Sequence, residues 1–294
     1  MTAQRIALVT GANQGIGYAL VEGLAARWSP HDLILLTGRN QSRFNKAAAR
    51  AARASATVAS VEGRRLDVTD ADAVARMAGE LSEQYGGIDV VVSNATARLT
   101  PEASQEEQAD GFIDVANCGT HAMLRSFGPV IRPGGRLMVV ASALGTLGNL
   151  DERLHPLLEN ASLDEVESAA ESWRAAIHAG TARDLGWPRW INVPSKVAQV
   201  AAVRAVARQR RATDLRNGTL IAAVCPGLVD TATSRPWFAD FSQARTPAQA
   251  AAAVLDFVLA EPADLATYGE LVRDGKVLPW LSGTPAGTQA TPAN

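Results

Sequence analysis

Short, nearly continuous apolar runs alternate with amphipathic stretches through most of the chain. The runs at 6–10, 33–37, 88–92, 136–141 and 219–225 predict strands, and the more polar stretches 61–66 and 268–273 add two more. A run such as Leu33-Ile34-Leu35-Leu36 has no polar alternation, as a parallel sheet covered on both faces requires. Leu20, Val21, Leu24 and Ala25 share one face of a helix predicted over 15–28, which stops around Ser29-Pro30. Further helices are predicted over 43–54, from an Asp70 cap to residue 85, and over 105–131, where Pro133-Gly134-Gly135 ends the last of these. Another is predicted over 193–211 after Pro194. The last long helix starts at Thr246-Pro247, with proline well placed for a first turn. Seven strands joined by helical crossovers predict an α/β fold, a doubly wound parallel sheet with right-handed connections.

Two segments break this rhythm. Residues 146–188 are too long for an ordinary strand-to-helix loop. Within them, 163–178 has a helical pattern with Asp164 and Glu165 in its first turn, so this is read as a helical insertion between the fifth strand and the helix that follows it. Residues 282–294, rich in Gly, Thr, Pro and Ala, are read as a disordered tail. The expected organisation is one domain over 1–281, with its insertion at about 146–188.

Composition narrows the partners. Apolar residues make up 47% of the 294, enough for a sizeable core. Lys and Arg number 28 against 30 Asp and Glu, a net charge of −2, which argues against nucleic acid or an anionic membrane as partner. Cys118 and Cys225 form no CxxC pair and are read as buried free thiols, which suits a reducing cytosol and a cytoplasmic location. No run is long and apolar enough to span a bilayer. His31, His121, His155 and His178 have no metal-ligand spacing, so no metal is expected.

In a doubly wound sheet ligands bind at the carboxyl ends of the strands. The first strand is followed by Thr10-Gly11-Ala12-Asn13-Gln14-Gly15-Ile16-Gly17, a glycine turn that opens a helix. Such a turn lets backbone approach a phosphate and points a helix N-terminus at the charge. Asn13 either adds a hydrogen bond there or serves as a turn residue tolerant of positive φ. The second strand is followed by Gly38-Arg39-Asn40, with no acidic residue for ribose hydroxyls. Arg39 suits a 2′-phosphate, which favours NADP(H) over NAD(H). After the third strand comes Asp67-Val68, whose carboxylate can meet an adenine amino group or cap the next helix. Ser93-Asn94-Ala95 follows the fourth. After the sixth, Pro226-Gly227-Leu228-Val229-Asp230-Thr231 can lay backbone and a hydroxyl against a nicotinamide carboxamide.

Taken in this order, Thr10-Gly-x-x-x-Gly-Ile-Gly17, Asp67-Val68, Asn94-Ala95, Asn117, Ser142-x-x-Gly145, Lys196 and Pro226-Gly227 resemble the short-chain dehydrogenase/reductase family over about residues 5–280. Gly186-Trp187-Pro188, just ahead of the active-site helix, together with the long insertion, is similar to the monomeric carbonyl reductases. The resemblance implies a Rossmann-like sheet, NADP(H), a small-molecule substrate and a monomer, because in that group the insertion covers the helical face used for oligomerisation. It also implies site roles. Ser142 would hold a carbonyl oxygen, Lys196 would bind the nicotinamide ribose and lower the pKa of a tyrosine acid, and the Asn117 backbone would anchor a water chain to the lysine. The tyrosine should stand four residues before Lys196, and that residue is Asn192. The only tyrosines, Tyr18, Tyr85 and Tyr268, lie elsewhere in the pattern. Pro194 is expected to push Val193 toward extended backbone and to start the helix late.

Three readings follow. The first is an NADPH-dependent reductase of carbonyl-, enone- or imine-type substrates with an atypical site, its acid supplied otherwise, for example by His155, His178 or Asp151. The second is a non-redox cyclase, isomerase or lyase that uses Asn192 and Ser142 as hydrogen-bond donors. The third is an NADP(H)-binding sensor. The pocket is expected to be lined by 96–100, 143–149, the insertion with Trp187 and Trp190, and 231–241. That last segment forms an apolar lid with Trp237, Phe238 and Phe241, suited to a bulky, weakly polar substrate.

Overall fold

The computed structural model describes residues 4–54 and 59–283. Eight strands form one sheet in the order β3-β2-β1-β4-β5-β6-β7-β8. They are β1 (Ile6–Val9), β2 (Leu33–Gly38), β3 (Ser60–Arg65), β4 (Ile88–Ser93), β5 (Ile131–Val140), β6 (Leu220–Val224), β7 (Leu271–Arg273) and β8 (Lys276–Leu278). The first seven run parallel, and β8 turns back antiparallel on β7. The seven expected strands are present, and β8 adds an eighth. Asp274 at φ 51° and Gly275 at φ 72° make a two-residue hairpin loop between Arg273 and Lys276, the left-handed pair that such a loop needs.

The strand order reverses between β1 and β4, so the carboxyl ends of these two strands border the crevice where such folds bind ligands. All four residues of β1 are fully buried, as the unbroken apolar run demands. On one side of the sheet α1 (Gly15–Arg27) packs between α2 (Gln41–Ala54) and α8 (Pro247–Val258). On the other, α5 (Gly119–Phe127) packs between α3 (Ala71–Tyr85) and α7 (Asn192–Asn217). The insertion helix α6 (Leu163–His178) lies over α7 and over α4 (Gln105–Ile113). Its Ser162/Glu165 capping box accounts for its sharp start.

Two expected helices have different bounds. The one expected over 105–131 is broken at a π-helical turn, Asp114–Cys118, and α5 ends at Phe127. Pro133-Gly134-Gly135 ends no helix. It bulges from the start of β5, where Ile88 pairs with Ile131 but Val90 pairs with Arg136. Pro133 has no N–H to offer the ladder and Gly134 stands at φ 78°, which is why the surplus residues loop out there. Helix α7 begins at Asn192, ahead of Pro194, and Val193 is helical. Pro194 is the third residue of the helix, where a first-turn N–H has no helical partner, so its ring removes no bond. Of the expected tail, Ser282 and Gly283 lie against Gly148, while residues 284–294 fall outside the described residues.

Candidate functional site

The glycine turn is clamped from behind by the end of β4. Thr10 is fully buried, and its Oγ1 accepts from the backbone N–H of Asn94 at 2.9 Å and of Ala95 at 3.0 Å. Asn94 returns its side-chain amide to Thr10 O at 2.9 Å and to Gly11 O at 3.4 Å. A Cβ on Gly11 would stand 2.8 Å from the Ala95 Cα, and one on Gly17 would stand 2.5 Å from the Asn94 Nδ2. Two backbone strands therefore touch here, and glycine alone fits. Asn94 and Ala95 thus brace the cradle through Thr10 and Gly11, and both are half-buried. Gln14 is the N-cap of α1 but makes no capping bond, and no acidic side chain sits in the first turn. The helix N–H groups thus keep their anion-binding capacity. Across the turn, the Thr231 methyl lies 3.8 Å from where a Cβ on Gly15 would be, so the 226–231 loop closes over the turn. That loop is braced by backbone bonds from Asp230 N to Arg245 O at 2.9 Å and from Arg245 N to Leu228 O at 2.9 Å. Val229 is buried beneath it.

At the ends of β2 and β3 the Asn13 carboxamide lies beside Gly38. Arg39 is exposed and makes no hydrogen bond or ion pair among the described residues. Gly38 is in register with Arg65, and Arg43 opens α2 with its N–H on Asn40 Oδ1. These two arginines escaped the sequence reading, although the test that singles out Arg39, a cation at a strand's carboxyl end, also selects Arg65. Asp67 holds Thr69 through Oδ1 alone, at 3.1 Å to N and 2.8 Å to Oγ1. Val68 packs on α5 at Gly119, where a Cβ would meet its side chain at 2.7 Å.

The other half of the crevice is built from β5, the π turn and α7. Ser142 caps a short turn, its Oγ accepting from Leu144 N at 3.3 Å. Gly145 seats this turn on α7, since a Cβ there would stand 2.9 Å from Lys196 O. Asn117 is fully buried. Its Nδ2 donates to Ser195 O at 3.0 Å, and its Oδ1 has no partner among the described residues. The start of α7 is fixed by Ile191 N on Gln105 Oε1 at 2.7 Å. Asn192 and Lys196 then share one helix face, one turn apart. The Lys196 ammonium donates to Gln199 Oε1 at 2.7 Å and to Val140 O at 3.5 Å, and burial pushes its pKa down to about 8.

The tyrosines are committed elsewhere. Tyr18 is buried in α1 beneath the Arg50 guanidinium, Tyr85 ends α3, and Tyr268 donates to Asp214 at 2.7 Å. Two of the proposed substitute acids are spoken for as well. The Arg153 guanidinium grips Asp151 through two bonds and its backbone N–H adds a third, which holds the carboxyl at about 2, so it keeps no proton near neutral pH. His178 pairs with Asp110 on α4 at 2.9 Å. His155 Nε2 lies 3.3 Å from Leu150 O.

Over the crevice, Trp237 ties three segments together. Its Nε1 donates to Leu99 O at 3.3 Å, and its ring sits 6.3 Å from that of Trp190. Phe238 and Phe241 meet edge to face at 6.3 Å. Trp187 instead packs 5.8 Å from Trp173 in the insertion's own core. Among the described residues no group of three His, Cys, Asp or Glu is placed to hold a metal, and no helix is long and apolar enough to cross a membrane.

The profile of the short chain dehydrogenases matches residues 5–154. Carbonyl reductase (NADPH) 3 of Rattus norvegicus is 28% identical over 289 residues, covering 95% of this chain and 99% of that one. Carbonyl reductase (NADPH) 1 of Mus musculus is 26% identical over the same shares. Among solved structures, salutaridine reductase of Papaver somniferum superposes with a TM-score of 0.76 at 19% identity, covering 91% of this chain and 99% of its own, a likeness of fold.

Proposed function

The chain belongs to the short chain dehydrogenase family, and from that premise we propose that it is an NADPH-dependent reductase of carbonyl-, enone- or imine-type small molecules that works without a tyrosine acid. The observation that carries this reading is the clamped glycine turn facing an uncapped helix N-terminus, with an unpaired Arg39 at the next strand end and Lys196 at the far end of the crevice. These residues fit NADP(H). The turn 11–17 would take the pyrophosphate, Arg39 the 2′-phosphate with Arg43 and Arg65 near it, Asp67-Val68 the adenine, and Lys196 the nicotinamide ribose. Pro226, Gly227, Val229 and Thr231 would face the carboxamide. Bound NADPH would supply a hydride from C4 of its nicotinamide. Ser142 holds the substrate's polar atom, Asn192 offers it an amide hydrogen bond, and neither releases a proton near neutral pH. The aromatic roof around Trp237 favours a bulky, weakly polar substrate. With α6 covering α4 and α7, the chain is read as a monomer.

The test is whether NADPH is consumed in step with product over a panel of ketones, enones and cyclic imines. Turnover of substrate without NADPH loss would transfer the site to non-redox chemistry, and tight binding with no turnover would make the chain a sensor. Arg39→Ala should weaken NADPH by about 10- to 100-fold, the share of a charge-assisted phosphate contact, and leave NADH unchanged. Equal loss of both in parallel titrations would remove Arg39 from the phosphate.

A further inference from the structure

Gln199 stands one turn behind Lys196 on α7 and is 2% exposed. Its carboxamide is fully engaged. Oε1 accepts from the Lys196 ammonium at 2.7 Å, and Nε2 donates to Ala116 O at 2.8 Å and to Thr120 Oγ1 at 2.9 Å. Thr120 Oγ1 in turn donates to Ala116 O at 2.7 Å. Ala116 belongs to the π turn that also carries Asn117. A buried amide bonded at both its oxygen and its nitrogen is a rigid strut. An amide also conducts no proton at neutral pH, unlike a water in the same place.

We propose that Gln199 is the positioning residue for Lys196: its carboxamide straps the ammonium to the π turn and holds its proton there, and so favours hydride acceptors that take up no proton, iminium cations being the class. The acceptor class rests on the reductase reading above; the strap does not. Asn192 at the outer end and Gln199 at the inner end both remove proton chemistry from one line of groups. When a hydride adds to an iminium carbon, a C–H bond forms, the C=N π pair becomes the nitrogen lone pair, and the neutral amine leaves with no proton taken up. A ketone would leave an alkoxide, to which Ser142 and Asn192 offer a hydrogen bond but no proton. Trp190, two residues before Asn192, and Trp237 bring indole rings to the same end of the sheet, and an indole face attracts a cation.

The strap can be read without any cofactor. The chain has three lysines, Lys46, Lys196 and Lys276, so NMR of protein labelled with 15N at lysine resolves the Lys196 ammonium once it is assigned with a Lys196→Arg variant. Among the described residues the other ionisable group acting on Lys196 is the Cys225 thiol, which burial pushes up and so keeps neutral. Gln199→Leu removes an acceptor from the charged form and should lower the titration midpoint by about one pH unit. Gln199→Glu puts a carboxylate there and should raise it by about one pH unit or more. In Gln199→Leu, Thr120 still satisfies Ala116 O, so the fold should hold. A midpoint that stays put in both folded variants overturns the strap. In parallel, NADPH absorbance is followed with N-methyl-3,4-dihydroisoquinolinium and with 2-tetralone. The iminium should be reduced at least about 100-fold faster. Equal rates overturn the acceptor class. If NADPH does not bind, the cofactor reading and the acceptor class fall together, and the NMR arms still decide the strap.

Discussion

Asn192→Tyr is expected to raise NADPH-dependent ketone reduction by about 100- to 10,000-fold in a single turnover, the usual contribution of a positioned general acid. Position 192 is the first residue of α7 and lies one turn before Lys196, so a phenol there stands on the face that carries the ammonium. Val193 N on Trp190 O at 3.0 Å and Ile191 N on Gln105 Oε1 fix this turn, and Asn192 is only partly buried, which leaves room for a ring. A neighbouring cation lowers a phenol pKa from about 10 toward neutrality, where it gives up its proton readily. Rapid mixing with NADPH and 2-tetralone measures the gain. The rate with the iminium should not change, because that acceptor needs no acid. A variant that binds NADPH yet gains nothing would show that the missing phenol is not what limits ketones.

Gly11→Ala should cost about 2–5 kcal/mol of stability, lower the melting temperature by roughly 5–15 °C, and weaken NADPH by more than about 100-fold. Gly11 sits at φ 61°, which an L side chain adopts at a cost of about 1–2 kcal/mol. The larger part is contact, for the new Cβ would stand 2.8 Å from the Ala95 Cα, which is backbone and cannot rotate away. The ends of β1 and β4 would have to part, breaking the bonds of Thr10 Oγ1 to Asn94 and Ala95 that shape the cradle. Gly79→Ala is the matched control. Nothing lies within 4 Å of its Cβ position in α3, so it should be neutral or stabilising by up to about 1 kcal/mol. A Gly11→Ala protein as stable as its parent would mean that the turn is not under this constraint.

The central parallel strands β1, β2, β4 and β6 were legible because burial on both faces leaves unbroken apolar runs, and the insertion helix because its cap and first-turn acids are local. The Thr246-Pro247 start of α8 is likewise a local signal, completed by a capping box with Gln249. What escaped depends on partners distant in the chain. The π turn at Asp114–Cys118 is tied through Asn117 and Ala116 to Ser195 and Gln199, about eighty residues away, and no local pattern in 105–131 announces it. The early start of β5 depends on pairing with β4 across a bulge. The pairing of Trp190 with Trp237 could not be read from either neighbourhood. Gln199 did leave a trace, a lone amide within Val197-Ala198-Gln199-Val200-Ala201, three residues after a lysine on a buried helix face. Pro194 misled because its effect turns on which helical position it occupies, and in the first turn it does no harm.

The crevice is proposed to hold NADPH and to select it by its 2′-phosphate. Fluorescence titration of the wild-type protein with NADPH, and separately with NADH, tests this most directly. Saturable NADPH binding with NADH at least about tenfold weaker is the predicted result. Absence of binding, or equal affinity for the two, would contradict it.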